Sequence, residues 1–193
     1  ITDNEKEILR KVVKLAGTGI DQVYLLDEQR ILVEQLQALN HAGSSIQSAR
    51  TEEEAVNYIF DSLKRIGYPK GLLSMVNKST GYIEGRYARG ANWRQVQAET
   101  KRPLKGDDIL AMAIRERKSL LSRDCATDPR CDEHAVKKVD VHAQYVIPLY
   151  VKDDPIGTLQ IDLSSYPGVV RGPEDVLERR MRVLDTFARQ ISI

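Results

Sequence analysis

The chain has 193 residues, enough for one full domain plus an additional segment but short for two domains. Its 29 basic and 28 acidic residues are mixed along the chain to a formal charge of +1, which offers no basic surface to nucleic acid or to an anionic membrane. Two cysteines, no apolar run long enough to span a bilayer and no signal-peptide pattern fit a reducing, cytoplasmic setting without direct membrane contact.

Residue 1 is Ile rather than Met, so a fragment is expected, cut from a parent protein that could itself be membrane-anchored. Residues 3–48 contain no proline and carry Leu9, Val13, Ala16, Ile20 and Val23 at alternating spacings of four and three. From Leu25 the seam changes phase and continues through Leu32, Leu36, Leu39 and Ile46, while Gly17, Gly19 and Gly43 each weaken a helix by about 1 kcal/mol against Ala. A continuous helix here is roughly 70 Å long at 1.5 Å per residue, more than one domain can cover. Residues 1–48 are therefore expected to be a helical connector that needs a partner helix.

Thr51-Glu52-Glu53-Glu54 is a capping box opening a helix whose stripe is Ala55, Val56, Ile59, Phe60, Leu63 and Ile66, ended by Gly67-Tyr68-Pro69. Gly71–Val76 and Tyr82–Arg89, separated by Asn77-Lys78-Ser79-Thr80-Gly81, read as antiparallel strands. The polar stretch 90–106 is expected to be loop, with a strand near Ala98–Pro103. Asp107 is expected to cap a helix running to about Arg117. Strand, loop and short helix then follow over 119–140. Gln144–Val151, apolar on both faces, turns through Lys152-Asp153-Asp154-Pro155 into Ile156–Asp162, a pairing suited to a sheet interior. Pro173 and Glu174 open a last helix with Leu177, Met181, Leu184, Phe187, Ala188 and Ile191 on one side. The order of elements predicts an α+β domain with a central antiparallel sheet and helices on its faces.

No Walker loop, G-x-G-x-x-G, H-E-x-x-H or nucleophile elbow occurs, and Asp107-Asp108 and Asp153-Asp154 sit where acids serve a helix start and a turn. Catalysis by this fragment is not expected. Cys125, Cys131, His134 and His142 are the one metal-like constellation. Their spacings are wider than zinc sites use, so two reduced thiols in a domain wall are the preferred reading over a metal site.

Asp128-Pro129-Arg130, Ala135-Val136, Ile147-Pro148-Leu149 and Ile156-Gly157-Thr158-Leu159 occur in an order that resembles the GAF family of small-molecule-sensing domains. The resemblance extends more loosely over 51–193, which implies a GAF-like domain at 49–193 with a closing helix at 173–193. Thr2-Asp3-Asn4-Glu5 is similar to the start of such a closing helix. Ile8, Leu9, Val12, Val13 and Ala16 also align with Val183, Leu184, Phe187, Ala188 and Ile191, so residues 1–24 resemble the closing helix of an upstream domain of the same type. Chance likeness of two amphipathic helices is the alternative.

What the resemblance implies is a regulatory sensor, of a small molecule or of redox state, cut from a bacterial-type signalling protein such as a histidine kinase. It would pass its signal through helices 3–48 and 173–193 of a parallel homodimer to an output module. A dimerisation module with a self-filled pocket and a small thiol redox enzyme are the alternatives. The family's pocket lies over one sheet face, here spanned by 86–145, and its candidate liners are Tyr87, Arg89, Trp93, Asp128, Arg130, Cys131, His134 and Tyr145. The cofactor stays unknown. There is no Cys-His or D-x-C-F motif for a bilin, only two cysteines are present, and Leu163–Pro173 lacks the Asn-Lys of cyclic-nucleotide-binding members.

Overall fold

The computed structural model describes residues 48–164 and 174–191, with side chains from Leu177 onward in the last segment, and isolated positions 33 and 37. The chain's contacts divide into two units, Ile1–Gln37 and Ala38–Ile193, and the second contains the helices and strands from Glu52 to Ile191. The connector expected over 3–48 and the upstream closing helix expected over 1–24 lie outside the described residues.

Helix α1 (Glu52–Arg65) starts where the sequence places it: Thr51 is extended and its hydroxyl accepts from Glu54 N at 3.1 Å. The reciprocal bond of the box is displaced by one residue, since the Glu54 carboxylate takes the amide of Arg50 at 2.8 Å. Strands β1 (Gly71–Asn77) and β2 (Tyr82–Arg89) pair in antiparallel register from Gly71↔Arg89 to Asn77↔Tyr82, with a bulge where Leu73↔Tyr87 gives way to Ser74↔Gly85.

The first departure from expectation is helix α2 (Trp93–Glu99), which occupies much of the stretch read as loop and confines the following strand, β3, to Lys101–Pro103. Trp93 and Val96 are three apart and both buried, so a single turn of helix satisfies both. Gly85 makes room for it: a Cβ there would lie 2.3 Å from the carbonyl oxygen of Gln97.

Helix α3 (Ile109–Glu116) is capped by Asp108, whose Oδ1 accepts from Leu110 N at 2.9 Å, and not by Asp107, which stands exposed beside Arg115. The shift by one residue turns Ile109, Leu110, Ala113 and Ile114 inward together. Strand β4 (Leu120–Ser122) leads through a turn-rich loop to α4 (Glu133–Val139), capped by Asp132. Strands β5 (Gln144–Val151) and β6 (Asp154–Asp162) close on a two-residue turn with Lys152 at φ 55°, so β6 begins earlier than Ile156. Helix α5 spans Glu174–Ile191.

Six strands in the order β3-β2-β1-β6-β5-β4, each pair antiparallel, form the middle layer. One face packs on α1 and α5 through Phe60, Leu63, Ile147, Leu159, Leu184 and Phe187. The other lies under α2, α3 and α4. The apolar stripe of α5 packs on its own sheet.

Candidate functional site

The face under α2, α3 and α4 has an unusual floor. Strand alternation puts Ser74 on the side of Leu72 and Val76, and Thr158 on the side of Gln160. Gln144 joins them from β5, so a polar strip crosses the three strands β1, β6 and β5 beneath the helices. Ser74 and Thr158 are fully buried and face each other across the β1–β6 pair. Neither hydroxyl has a partner among the described protein groups, and the same holds for Gln160 Oε1 and Trp93 Nε1. An unsatisfied buried polar atom costs about 1–3 kcal/mol. Four on one face is a concentrated expense.

A cavity of about 30 Å³ lies in this layer, lined by Gln144 and Gln160 of the sheet, by Trp93 and Val96 of α2, and by the caps of α3 and α4 at its edge. It has room for little more than a water or two. Its edge is held by one guanidinium: Arg102 of β3 places Nη2 2.5 Å from Asp132 Oδ2 and Nε 3.4 Å from Asp108 Oδ2. Both carboxylates also cap their helices, Asp132 by accepting from Ala135 N at 2.8 Å. Arg102 therefore ties the starts of α3 and α4 to the sheet edge. Burial raises the Asp108 carboxyl above the usual range, with the nearby Asp132 charge adding to the rise and the Leu110 amide and Arg102 opposing it.

Beside this layer the loop Arg123–Asp132 is stapled by its own residues. Arg130 holds Asp128 through Nε at 2.9 Å and Nη2 at 2.7 Å, reaches the carbonyl of Leu121 at 3.1 Å, and its carbonyl accepts from Ile109 N. The guanidinium holds the Asp128 carboxyl down to about 2. Next to the staple, Cys131 packs against the buried cluster that contains Cys125. Gln144 Nε2 donates to Cys131 Sγ at 3.0 Å, Ser122 Oγ lies 3.5 Å away, and Gln160 Nε2 donates to Gln144 Oε1 at 2.9 Å. A chain of polar contacts thus runs from the thiols to the cavity floor.

The eight residues expected to line a pocket are not brought together. Trp93, only 1% exposed, is a wall of the cavity rather than a loop residue. Asp128, Arg130 and Cys131 sit on the adjoining loop, while His134 is exposed near Glu99. Tyr87, Arg89 and Tyr145 belong to the opposite face: Tyr87 donates to Glu52, Arg89 to Asn57 of α1, and Tyr145 to Asp185 of α5. Sequence reasoning missed Ser74, Arg102, Asp108, Asp132, Gln144, Thr158 and Gln160. For Ser74, Thr158 and Gln160 the available signal was hydroxyl and amide side chains in the middle of strands otherwise largely apolar. His142 is exposed, and among the described residues no three His, Cys, Asp or Glu side chains are placed to hold a metal ion.

The fold is shared with solved structures at low sequence identity. The GAF domain of a phosphoenolpyruvate-protein phosphotransferase from Coxiella burnetii superposes with a TM-score of 0.63 at 16% identity, over 82% of this chain and 93% of that one. Free methionine-R-sulfoxide reductase from Neisseria meningitidis, solved with its substrate, gives 0.61 at 13% identity, over 81% and 87%. The GAF domain of a two-component sensor histidine kinase from Bacillus halodurans gives 0.55 at 17%, over 74% and 95%. No curated protein sequence matches the chain. Residues 49–193 match the family model of the GAF domain, and with the six-stranded antiparallel sheet between two helical layers this shows that the chain belongs to the GAF domain family.

Proposed function

We propose that this GAF domain is a regulatory sensor that receives a small molecule between the sheet and helices α2, α3 and α4. The observation that carries the reading is the group of four buried polar atoms without protein partners, Ser74 Oγ, Thr158 Oγ1, Gln160 Oε1 and Trp93 Nε1, in the layer between the sheet and α2, α3 and α4, where Gln160 and Trp93 line a cavity of about 30 Å³. Groups so placed cost folding energy and gain partners only when something polar enters. The described form is then the contracted state, and a ligand selects a wider one by moving α2, α3 and α4 off the floor. The domain performs no chemistry in this role.

The test is a thermal-shift panel of metabolites, nucleotides and tetrapyrroles read together with Trp93 fluorescence. A ligand raises the melting temperature with the logarithm of its concentration and shifts the Trp93 emission. A panel in which nothing does either favours the second reading, a structural dimerisation module. That alternative draws on one observation: Trp93 and its neighbours already fill the layer to about 30 Å³.

We infer further that the sensor works as a homodimer in a cytoplasmic signalling protein, through the seam of Leu25, Leu32, Leu36 and Leu39. No helix among the described residues is long and apolar enough to cross a membrane. Leu36→Asp is expected to lower the mass measured by light scattering toward that of one chain, and Lys78→Ala is not.

A further inference from the structure

We propose that Cys131 and Cys125 form a peroxide-oxidisable pair, with Cys131 as the attacking sulfur and Cys125 as the thiol that closes an intrachain disulfide. The ligand reading neither requires this nor depends on it. Three placements carry it. The two thiols share one packed cluster, Cys131 lying against the buried group that contains Cys125. Cys131 is only partly buried, so a small oxidant reaches it, whereas Cys125 is 2% exposed. The Cys131 sulfur also accepts from Gln144 Nε2 and lies beside the Ser122 hydroxyl, an environment that stabilises a thiolate.

The charged groups around the pair agree with that assignment of roles. The Cys125 thiol, then Ser122 and Gln144, lower the Cys131 thiol to about 7 against burial and the neighbouring Asp128 carboxylate, whose charge Arg130 largely neutralises. Cys125 is pushed up, first by the neighbouring Cys131 sulfur, then by burial and by the charge on Cys131.

The steps balance with a peroxide as the oxidant. The Cys131 thiolate attacks one peroxide oxygen, the O–O bond breaks, and the departing alkoxide or hydroxide takes up a proton. Sulfur, oxidised by two electrons, is left as a sulfenic acid. Cys125 then attacks that sulfur, the S–S bond forms, the S–O bond breaks, and hydroxide leaves with the Cys125 proton as water. Two thiols and one hydroperoxide thus give a disulfide, an alcohol or water, and a water. The intervening loop is built of turns, with Asp128 N on Asp124 O and Cys131 N on Asp128 O, and can tighten to the roughly 2 Å of an S–S bond. In the disulfide Gln144 loses its charged acceptor. The contact with Gln160 carries that loss to the cavity floor.

The experiment is equimolar hydrogen peroxide added to the reduced protein, followed by intact-mass spectrometry and thiol titration. The wild type is expected to lose the mass of two hydrogens and both titratable thiols, reversibly with dithiothreitol. Cys125→Ser is expected to stop at a sulfenic acid that dimedone traps at Cys131, and Cys131→Ser to react at least ~10-fold more slowly. The wild-type rate is expected to level off about one pH unit above the Cys131 midpoint rather than climb on, as it would for an ordinary thiol near pKa 8.5. Circular dichroism confirms that the variants are folded, and the wild-type mass stands even if one is not. Two thiols surviving the treatment, sulfinic acid at Cys131 without a disulfide, or a disulfide between chains would each overturn the proposal.

Discussion

The Tyr145 hydroxyl of β5 donates to Asp185 Oδ1 of the closing helix at 2.9 Å, and the same oxygen takes the Ser119 hydroxyl at 2.7 Å. One carboxylate thus fastens α5 both to an inner strand and to the entry of the edge strand β4. Around this joint the packing is apolar, with Ile147, Leu184 and Phe187 buried, so the polar contact fixes the register of the helix rather than supplying most of its hold. Burial and the Asp185 charge keep the phenol protonated well past neutral pH.

Tyr145→Phe is expected to cost about 1 kcal/mol in a denaturant midpoint, because Ser119 still serves the carboxylate. Asp185→Ala strands both hydroxyls and is expected to cost more, about 1–3 kcal/mol. If the joint sets the position of α5, Asp185→Ala also speeds amide exchange along α5 more than in α1. Equal exchange in the two helices would mean that apolar packing alone holds α5.

Arg102 is the second joint. Arg102→Ala leaves Asp108 and Asp132 facing each other without a cation, at an expected cost of about 1–3 kcal/mol at neutral pH. The sign with pH follows from the raised Asp108 carboxyl: the folded chain holds that proton more tightly than the unfolded chain does. Its destabilising effect is therefore absent at low pH and grows as pH rises through the unfolded value near 3.9 toward the folded one. Losing Arg102 removes a lowering influence. The penalty of Arg102→Ala, read as the difference in urea midpoints from wild type, should be smaller at pH 4 than at pH 7.5.

Much of the fold is legible because period and punctuation agree: the Thr51 cap, the β1–β2 hairpin and the β5–β6 hairpin all fall near their expected positions. The site is less legible, and for traceable reasons. From Ile83, which faces α3, simple alternation carries Tyr87 and Arg89 onto the cavity face; the bulge opposite Leu73 and Ser74 reverses the parity and turns them toward α1. Tyr145 and Val146 are both apolar and buried, so nothing in the strand says which one faces the cavity. Helix α2 is seven residues long, too short for its period to stand out from polar neighbours. The Arg102–Asp108–Asp132 group comes from three separate segments, and only the fold assembles it.

The Asp128–Arg130 staple makes an acid-side prediction. With the Asp128 carboxyl held to about 2 by Arg130, its contribution is fully present above the unfolded value near 3.9 and is lost as pH falls toward 2. The size is about 2 kcal/mol, since the side chain is 12% exposed and little screened. Asp128→Asn should flatten the stability curve between pH 4 and 2. Carboxyl carbon NMR is expected to place the Asp128 midpoint near the low value, and an ordinary midpoint would contradict the staple.

The last prediction separates the needs of folding from those of ligand binding on the sheet face beneath α2, α3 and α4. Thr158→Val keeps the shape of a side chain whose hydroxyl has no protein partner, and Ser74→Ala removes the hydroxyl opposite it. Polar groups kept for a ligand burden the empty domain, so each change is expected to stabilise the free protein by up to about 1 kcal/mol. For a domain of this size that raises the melting temperature by a few degrees, about 2–4 °C per kcal/mol. The same variants should weaken any small molecule that stabilises the wild type, by about tenfold for each neutral hydrogen bond lost. A fall in melting temperature on both changes, with ligand response intact, would show that these hydroxyls serve the fold. The polar strip under α2, α3 and α4 would then lose its claim to be a recognition surface.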